Sequence, residues 1–372
     1  MPLILLTCLY HYYQMNPENL NKFVLENTEN RKADHIKIVL EENVKGKDIT
    51  TGFERFFFEH TALPEIDLDK IDLSIEIFGK KLLAPLLISS MTGGTEAARR
   101  INLHLAEAAQ ALGVGMGVGS QRAAIEQNNL EYTYQVRKVA PDILLLANLG
   151  AVQLNYGYGL QEAKKAVEMI AADALILHLN PLQEAVQPGG DRRWDSLYHK
   201  IEQLVTKIDV PVIAKEVGNG ISARVARRLA DCGISAIDVA GAGGTSWSEV
   251  EAYRQQDPRQ KKIAHVFASW GIPTALSLME VKKAVPEIPI FASGGIRTGV
   301  DAAKAIALGA TLVGSAAPLL SAATDQTQTV YDQFAAMIEE LKIAAFCTGS
   351  ENLKMLSQAP LRYKDTWELV TG

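Results

Sequence analysis

One arrangement recurs along the chain and restricts its fold more than any other feature: an Ala-rich amphipathic stretch, a Gly or Asp stop, and a short apolar run. Two examples are "AEAAQALGVGMGVGS" (Ala106 to Ser120) and "AAKAIALGATLVGSA" (Ala302 to Ala316). The first part of each unit has helical periodicity, and Gly113, Gly233 and Gly309 suit the C-terminal caps of helices. Because helices and apolar runs alternate with few hairpin signals, the pattern predicts parallel strands that are buried on both faces.

The apolar runs supply eight strand candidates, and most gaps between them have room for one helix. The candidates span residues 85–92, 113–121, 142–150, 174–180, 211–217, 236–241, 289–293 and 311–315. Eight such units predict a (β/α)₈ TIM barrel of the α/β class, with a doubly wound sheet as the alternative. The longest gap, 243–289, contains "TSWSEVEAYRQQDPRQ", which we interpret as an extended loop or a lid.

Composition and charge fit one globular domain. The chain has 372 residues, 48% of them hydrophobic, and a formal charge of −6 without any block of like charges, which argues against a nucleic-acid surface. Cys8, Cys232 and Cys347 are scattered, as expected in a reducing compartment. The apolar start is too short to span a bilayer. We therefore predict a cytoplasmic protein without a membrane or nucleic-acid partner, with a barrel domain and N-terminal arm over residues 31–372 and an extension of unknown role over residues 1–30.

Ligands of such barrels bind at the carboxyl ends of the strands, and every predicted strand here ends in small or hydrogen-bonding residues. "SGGIRTG" (Ser293 to Gly299) and "GSAAP" follow the seventh and eighth candidates, where many barrels bind a phosphate through backbone N–H groups. Arg297 could add charge-assisted hydrogen bonds. Alternatively, Gly294 and Gly295 are only turn residues.

Polar residues after the fourth and fifth candidates suggest chemistry, each with a structural alternative. Glu184, beside the amides of Asn180 and Gln183, suits Mg²⁺ that keeps several waters, or is a solvated loop acid. Lys215 places a cation near the barrel axis, or forms a structural ion pair, for example with Glu216. His178 is a candidate acid or base. Alternatively, it is a core histidine whose ring nitrogens are hydrogen-bonded within the protein.

A basic pair lies ahead of the first strand candidate. Arg31 and Lys32 precede an amphipathic stretch in "NRKADHIKIVLEE". They are either charges at the start of a solvated helix or part of an arm that folds over the barrel mouth and neutralises a diphosphate.

With these residues assembled, the chain closely resembles the type 2, FMN-dependent isopentenyl-diphosphate delta-isomerases from Arg31 to about Ala317. Two departures, Ser90 and Gly189, fall outside the contacts that the resemblance implies. The motifs that carry the resemblance are "RKADHI", "SSMTGG", "VGSQR", "NLGAVQL", "HLNPLQEAVQPGGDR", "KEVGNGIS", "DVAGAGGTSW", "WGIPTA" and "SGGIRTGVD".

The resemblance implies a barrel enzyme of isoprenoid biosynthesis that interconverts isopentenyl and dimethylallyl diphosphate with reduced FMN and Mg²⁺. It also implies NADPH as the reductant and a homo-oligomer, tetrameric or octameric. Glu184 would bind the metal, and Gln183, Lys215 and His178 are the catalytic candidates. The FMN contacts would be Met91, Thr92, Ser120, Asn148, Lys215, Thr245, Gly294, Gly295, Arg297, Ala316 and Ala317. The substrate contacts would be Arg31, Lys32, Ser120, Gln121, Arg122 and Gln183.

Moving a double bond requires a proton at one carbon and the loss of another proton two carbons away. Because no acid–base pair stands out among these side chains, we expect the reduced flavin to exchange the protons. The main alternative is an FMN-dependent oxidoreductase of the hydroxy-acid oxidase type, which needs a His base and Arg residues that clamp a carboxylate. An inosine-monophosphate-dehydrogenase-like enzyme and a non-catalytic phosphate-binding barrel are weaker alternatives.

Overall fold

In a computed structural model, which describes residues 31–371, eight parallel strands close into a barrel. The barrel closes where the last strand pairs with the first, with Val313 opposite Leu86. The predicted (β/α)₈ fold is therefore confirmed. The strands are β1 (Leu86–Ile88), β2 (Gly115–Gly117), β3 (Leu145–Gly150), β4 (Ala174–Leu179), β5 (Val212–Glu216), β6 (Ala236–Asp238), β7 (Ile290–Ala292) and β8 (Leu312–Ser315).

Each predicted strand contains one of these strands, but the observed ladders are shorter. The residues at the predicted carboxyl ends that leave the ladder form loops at the barrel mouth. The predicted extension over residues 1–30 lies outside the part of the chain that the structure describes.

Helices surround the barrel. Gly113, Gly233 and Gly309 take left-handed φ values of 63°, 82° and 106° at or just after helix ends, as the sequence predicts. Residues 31–41 are also helical. The α-helices span Glu96–Leu112, Arg122–Glu126, Leu160–Ile170, Pro181–Val186, Leu197–Val205, Ala223–Asp231, Trp247–Arg254, Pro258–Val266, Thr274–Ala284, Gly299–Ala307, Ala317–Asp325, Thr327–Cys347 and Leu353–Leu356. Short 3₁₀ helices span Phe53–Arg55, Leu68–Lys70, Asn128–Thr133 and Ala151–Asn155.

The segment between β6 and β7 is helical over much of its length, so the prediction of an extended loop is wrong, and the alternative of a lid stays a prediction. It contains the helices Trp247–Arg254, Pro258–Val266 and Thr274–Ala284. Pro258 starts a helix instead of interrupting one, because it occupies the first turn and the Asp257 side chain accepts a hydrogen bond from the backbone N–H of Arg259.

Two small antiparallel sheets complete the fold. Phe56–Phe58, Leu361–Tyr363 and Leu369–Thr371 form one sheet, and the hairpin Ile75–Ile77 with Lys80–Leu82 forms the other. The hairpin leads directly into β1, so it lies at the amino-terminal end of the barrel.

Apolar side chains fill the barrel interior towards this end. Ile77 and Leu82 of the hairpin pack there, and Phe78 lies with its ring centroid 6.4 Å from that of Phe291. The other side chains of this cluster are Leu87, Leu144, Leu146, Ala174, Ile176, Ile213, Ala236 and Leu312. Because this end is closed, polar chemistry is confined to the opposite, carboxyl end of the strands.

Residues 31–53, which we call the N-terminal arm, run across that carboxyl end. The backbone N–H of Ser246 donates to Val44 O at 2.7 Å, and that of Ala275 donates to Thr51 O at 2.9 Å. Ser246 and Ala275 both lie between β6 and β7, so these bonds fix the arm against the segment that follows β6. Within residues 31–371, no helix is long and apolar enough to cross a membrane.

Candidate active site

A cavity of about 270 Å³ lies at the barrel mouth, between the carboxyl ends of the strands and the N-terminal arm. Most of the residues singled out from the sequence line it. They are Arg31, Lys32, Met91, Thr92, Ser120, Arg122, Asn148, His178, Gln183, Glu184, Lys215, Thr245, Gly294, Gly295, Arg297, Ala316 and Ala317. Ser90, expected to lie outside the contacts, lines the cavity as well.

Gln121 departs from the expected placement on the cavity wall. Its side chain is fully buried, and Nε2 donates to Ala166 O at 2.8 Å. Its Oε1 accepts the backbone N–H of Asn148 at 2.9 Å. Gln121 therefore fastens β3 to a neighbouring helix, and its neighbours Ser120 and Arg122 face the cavity in its place.

Lys215 of β5 is held at the barrel axis by an ion pair. Its Nζ lies 3.0 Å from Asp238 Oδ2 and 3.0 Å from Ser293 Oγ. The predicted structural ion pair therefore forms, but its partner is Asp238 and not Glu216. The Glu216 carboxylate instead accepts backbone N–H groups of the following loop, including those of Val217 (2.7 Å) and Gly218 (2.8 Å). The lysine thus presents a fixed, paired cation at the floor of the cavity.

His178 is a neutral hydrogen-bonding residue of the cavity wall. Burial and then the charge of Lys215 lower the pKa of His178 to about 4. Its Nδ1 lies 2.8 Å from Asn148 Oδ1, and the Asn148 amide nitrogen donates to Val118 O at 3.1 Å. Since the amide oxygen therefore faces the ring, Nδ1 carries the proton and donates it.

The loops after β6 and β7 pack so tightly that they require glycine. Gly294 and Gly295 have φ values of 98° and 79°. A Cβ on Gly295 would meet Thr51 Cγ2 at 2.5 Å, and one on Gly244 would meet the backbone N of Gly295 at 2.5 Å. Backbone N–H groups of such loops, with Arg297 nearby, can bind a phosphate.

Several buried oxygens of the cavity wall have no hydrogen-bond partner within the described part of the chain. They are Ser89 Oγ, Ser90 Oγ, Gln153 Oε1 and Asn180 Oδ1. Buried polar atoms are normally paired. These four can bond a polar ligand in the cavity.

Glu184 is oriented by three donors. Its carboxylate accepts from Asn180 Nδ2 at 3.0 Å, from the backbone N–H of Asp191 at 2.7 Å, and from the Gln187 amide. Burial raises the pKa of Glu184. Among residues 31–371, no group of three or more His, Cys, Asp or Glu side chains could hold a metal ion. A cation at Glu184 would therefore take most of its ligands from water or from substrate oxygens.

The arm brings two cations to the same end of the cavity. Lys32 Nζ donates to Ser120 O at 3.0 Å and to the Tyr134 hydroxyl at 2.5 Å. Burial and the charge of Arg31 lower the pKa of Lys32 to about 7. Arg31 lies close enough to Arg122 for their charges to repel, so the three cations form one cluster.

Sequence reasoning missed a buried carboxylate beneath Gln183. Glu251 Oε1 accepts from Gln183 Nε2 at 3.2 Å and from His35 Nε2 at 2.9 Å. Burial opposes ionisation, but the His35 hydrogen bond and charge lower the pKa of Glu251 to about 2. Glu251 follows Trp247, another cavity residue, by four positions on one helix, and this spacing is the signal that could have identified it.

The chain is similar in sequence to known proteins over most of its length. A family model described as FMN-dependent dehydrogenase matches residues 26–135 and 163–363. The isopentenyl-diphosphate delta-isomerase of Synechocystis sp. is 64% identical over 348 residues, which cover 94% of this chain and 98% of that relative. The protein of the same name from Stutzerimonas stutzeri is 59% identical over 332 residues, covering 89% of this chain and 96% of that relative.

Solved structures share the fold at much lower identity. A lactate oxidase of Pediococcus acidilactici has a TM-score of 0.63 at 19% identity, covering 92% of this chain and 93% of that one. A mandelate oxidase variant with 2-hydroxy-phenylacetamide has a TM-score of 0.61 at 20% identity, covering 91% and 98%. At this identity the similarity concerns the barrel alone.

Proposed function

The chain belongs to the FMN-dependent dehydrogenase family and, within it, to the isopentenyl-diphosphate delta-isomerases, and from this premise we propose how its residues perform the reaction. The reaction interconverts isopentenyl and dimethylallyl diphosphate, a step of isoprenoid biosynthesis. A proton is added at one carbon and another is removed two carbons away, so the substrate mass does not change. The site must anchor a diphosphate and keep water from the alkene.

The residues of the cavity fit FMN. The glycine loop after β7 and the adjoining loop after β8 suit its phosphate, and the unpaired oxygens of Ser89 and Ser90 can bond its polar ring edge. The residues that would hold FMN are Met91, Thr92, Ser120, Asn148, Lys215 and Thr245, with Gly294, Gly295, Arg297, Ala316 and Ala317 around the phosphate.

An unactivated alkene is a very poor base, so protonation needs a dedicated acid and exclusion of water. When bound, reduced FMN supplies the acid–base group that adds and removes the protons. Lys215 contributes a fixed positive charge that favours an electron-rich ring, since its pairing with Asp238 holds Nζ in place. His178 is not an acid at neutral pH, because burial keeps its pKa near 4. It orients Asn148 instead.

One observation carries the substrate assignment. The arm and the loop after β2 supply cations, the loop after β4 supplies Glu184, and these side chains line the same end of the cavity. This end lies across the barrel from the loops after β7 and β8. The charges at this end balance. The cations are Arg31, Lys32, Arg122 and Arg254, and the nearest carboxylates are Glu126, Glu184, Asp191 and Glu251. A strongly anionic diphosphate therefore needs a further cation, and Mg²⁺ on Glu184 and the phosphate oxygens supplies it.

Gln183 completes the substrate end. Its amide is held between Asn180 Nδ2 and Glu251 Oε1, each at 3.2 Å. Binding energy from the diphosphate, together with this fixed amide, orients the alkene for reaction.

The remaining proposals rest on the resemblance and on composition. NADPH would keep the FMN reduced, and the protein would act in the cytoplasm as a homo-oligomer, tetrameric or octameric. The scattered cysteines, of which Cys232 and Cys347 are unpaired thiols, are compatible with a reducing compartment.

The proposal is tested by anaerobic reduction of the FMN-loaded protein, followed by isopentenyl diphosphate with or without Mg²⁺. We expect the dimethylallyl isomer at unchanged mass, and at least a tenfold loss of rate without Mg²⁺ or without FMN. Equal turnover after removal of FMN would contradict the flavin role.

The oxidase alternative rests on the fold, since the solved oxidases are 19–20% identical to this chain, whereas the isomerases named above are 59–64% identical. The same preparation supplied with lactate or mandelate under air should form no hydrogen peroxide. Steady peroxide formation would favour the oxidase alternative.

A further inference from the structure

The segment after helix Pro181–Val186 brings one carboxylate to the substrate end of the cavity. Asp191 Oδ2 accepts from Arg122 Nη1 at 2.7 Å and from Gln153 Nε2 at 2.8 Å. The backbone N–H of the same residue donates to Glu184 Oε2 at 2.7 Å. Asp191 therefore joins three cavity residues that follow three different strands.

The backbone around Asp191 is tightly held. A Cβ on Gly190 would lie 2.0 Å from Glu184 O, so only glycine permits this approach. On the other side, Trp194 Nε1 donates to Asp191 O at 2.9 Å. These two contacts fix the backbone of Asp191 and therefore the position of its side chain beside the cavity.

Charge alone does not account for this placement. Arg122 already has a carboxylate partner, since its Nε donates to Glu126 Oε1 at 2.8 Å. A second carboxylate on the same guanidinium weakens its attraction for an anionic ligand. By its charge alone, Asp191 would therefore weaken the binding of an anion at Arg122. Its placement is explained if it also fixes the positions of neighbouring side chains.

We propose that Asp191 is a positioning residue that holds Arg122 and Glu184 in the relative geometry in which one Mg²⁺–diphosphate unit contacts both. This inference rests on the proposed function, because it assumes that the unit binds at Arg122 and Glu184. The Asp191 carboxylate sets the direction of the guanidinium, and its backbone N–H sets the orientation of the metal-binding carboxylate. Asp191 itself touches neither the alkene nor the flavin.

The test compares Asp191→Asn with Glu126→Gln, which removes the same charge from the other side of Arg122. Binding of inorganic pyrophosphate with Mg²⁺ to the FMN-loaded protein is measured by calorimetry, so the readout does not depend on turnover. If Asp191 positions the site, Asp191→Asn binds the probe at least fivefold more weakly than Glu126→Gln. If Asp191 acts only by its charge, both variants bind alike, and that result, or any smaller difference, overturns the inference.

A second variant avoids a change of charge. Trp194→Phe removes the hydrogen bond to Asp191 O but keeps an aromatic ring, and it should weaken Mg²⁺–pyrophosphate binding at least twofold with the FMN absorbance intact. Wild-type affinity in this variant contradicts the inference. If wild-type protein itself binds no Mg²⁺–pyrophosphate and forms no dimethylallyl diphosphate, the proposed function fails, whereas failure of the variants alone leaves it standing.

Discussion

Lys215 Nζ lies 3.0 Å from Asp238 Oδ2 inside the barrel, where the two side chains are 10% and 1% exposed. The hydroxyl of Ser293 donates to Asp238 Oδ1 at 2.7 Å, so the carboxylate is engaged on both oxygens. This pair separates the apolar interior of the barrel from the polar cavity above it. Its two members depend on each other for charge compensation.

Replacing Lys215 alone should therefore destabilise the protein. Lys215→Met leaves the Asp238 carboxylate buried without its counter-ion, which costs about 3 kcal/mol of unfolding free energy. The double variant Lys215→Met with Asp238→Asn should recover most of that loss, because the unpaired charge is gone. Urea unfolding of the FMN-free proteins measures both values. Equal stability of the single and double variants would show that the ion pair is not the cause.

Replacing Glu184 by Gln should affect the metal and leave the flavin in place. The amide keeps the size of the side chain but removes the negative charge that would bind Mg²⁺. We expect the Mg²⁺ concentration for half-maximal turnover to rise at least tenfold, with unchanged FMN absorbance.

Glu168→Gln is the matched control, since it makes the same change on an exposed helix position. Mg²⁺ titrations of turnover compare the two variants. An unchanged Mg²⁺ requirement in Glu184→Gln would rule out the metal role.

Gln183→Ala should lower kcat by about 10- to 100-fold, because the amide that orients the substrate is lost. The flavin spectrum should stay that of the wild type. Gln203→Ala, at an exposed helix position, is the control and should keep full activity. Steady-state kinetics of the reduced enzyme decide the question, and full activity of Gln183→Ala would remove it from the site.

Substrate affinity should fall as pH rises through about 7, because burial and Arg31 lower the pKa of Lys32 to about that value. Below this pH the ammonium is protonated and binds the diphosphate directly. Above it the free enzyme carries a neutral amine, so binding must first take up a proton. KM for isopentenyl diphosphate should therefore increase between pH 7 and 9.

Lys32→Met should raise KM at every pH and abolish this dependence. Measurement of KM in both proteins over that range provides the check. The same slope in both would assign the titration to another group.

The sequence predicts the barrel well because its signal is local. Each parallel strand is buried on both faces and follows its own helix, so Leu145–Gly150 and Ala174–Leu179 are visible as apolar runs. The helices after β6 were missed because Trp247–Arg254 and Pro258–Val266 are polar over most of their length. Asp257 followed by Pro258 was nevertheless a usable helix-start signal.

The site is less predictable because its pairings are distant in sequence. Motif position indicated Ser120, Gln121 and Arg122 as substrate contacts. Three consecutive side chains do not all face one cavity, and Gln121 points away from it. Asp238 and Asp191 were overlooked because their partners, Lys215 and Arg122, lie on other strand ends. Only the closed barrel brings them within bonding distance.

Barrel closure by Val313 and Leu86 has a further consequence for biogenesis. The walls of the cavity are drawn from residues between Arg31 and Leu320, so no fragment that ends before β8 encloses it. A fragment that ends before β8 lacks part of this wall, including Ala316 and Ala317. We therefore expect FMN to bind only after the final βα unit has been translated.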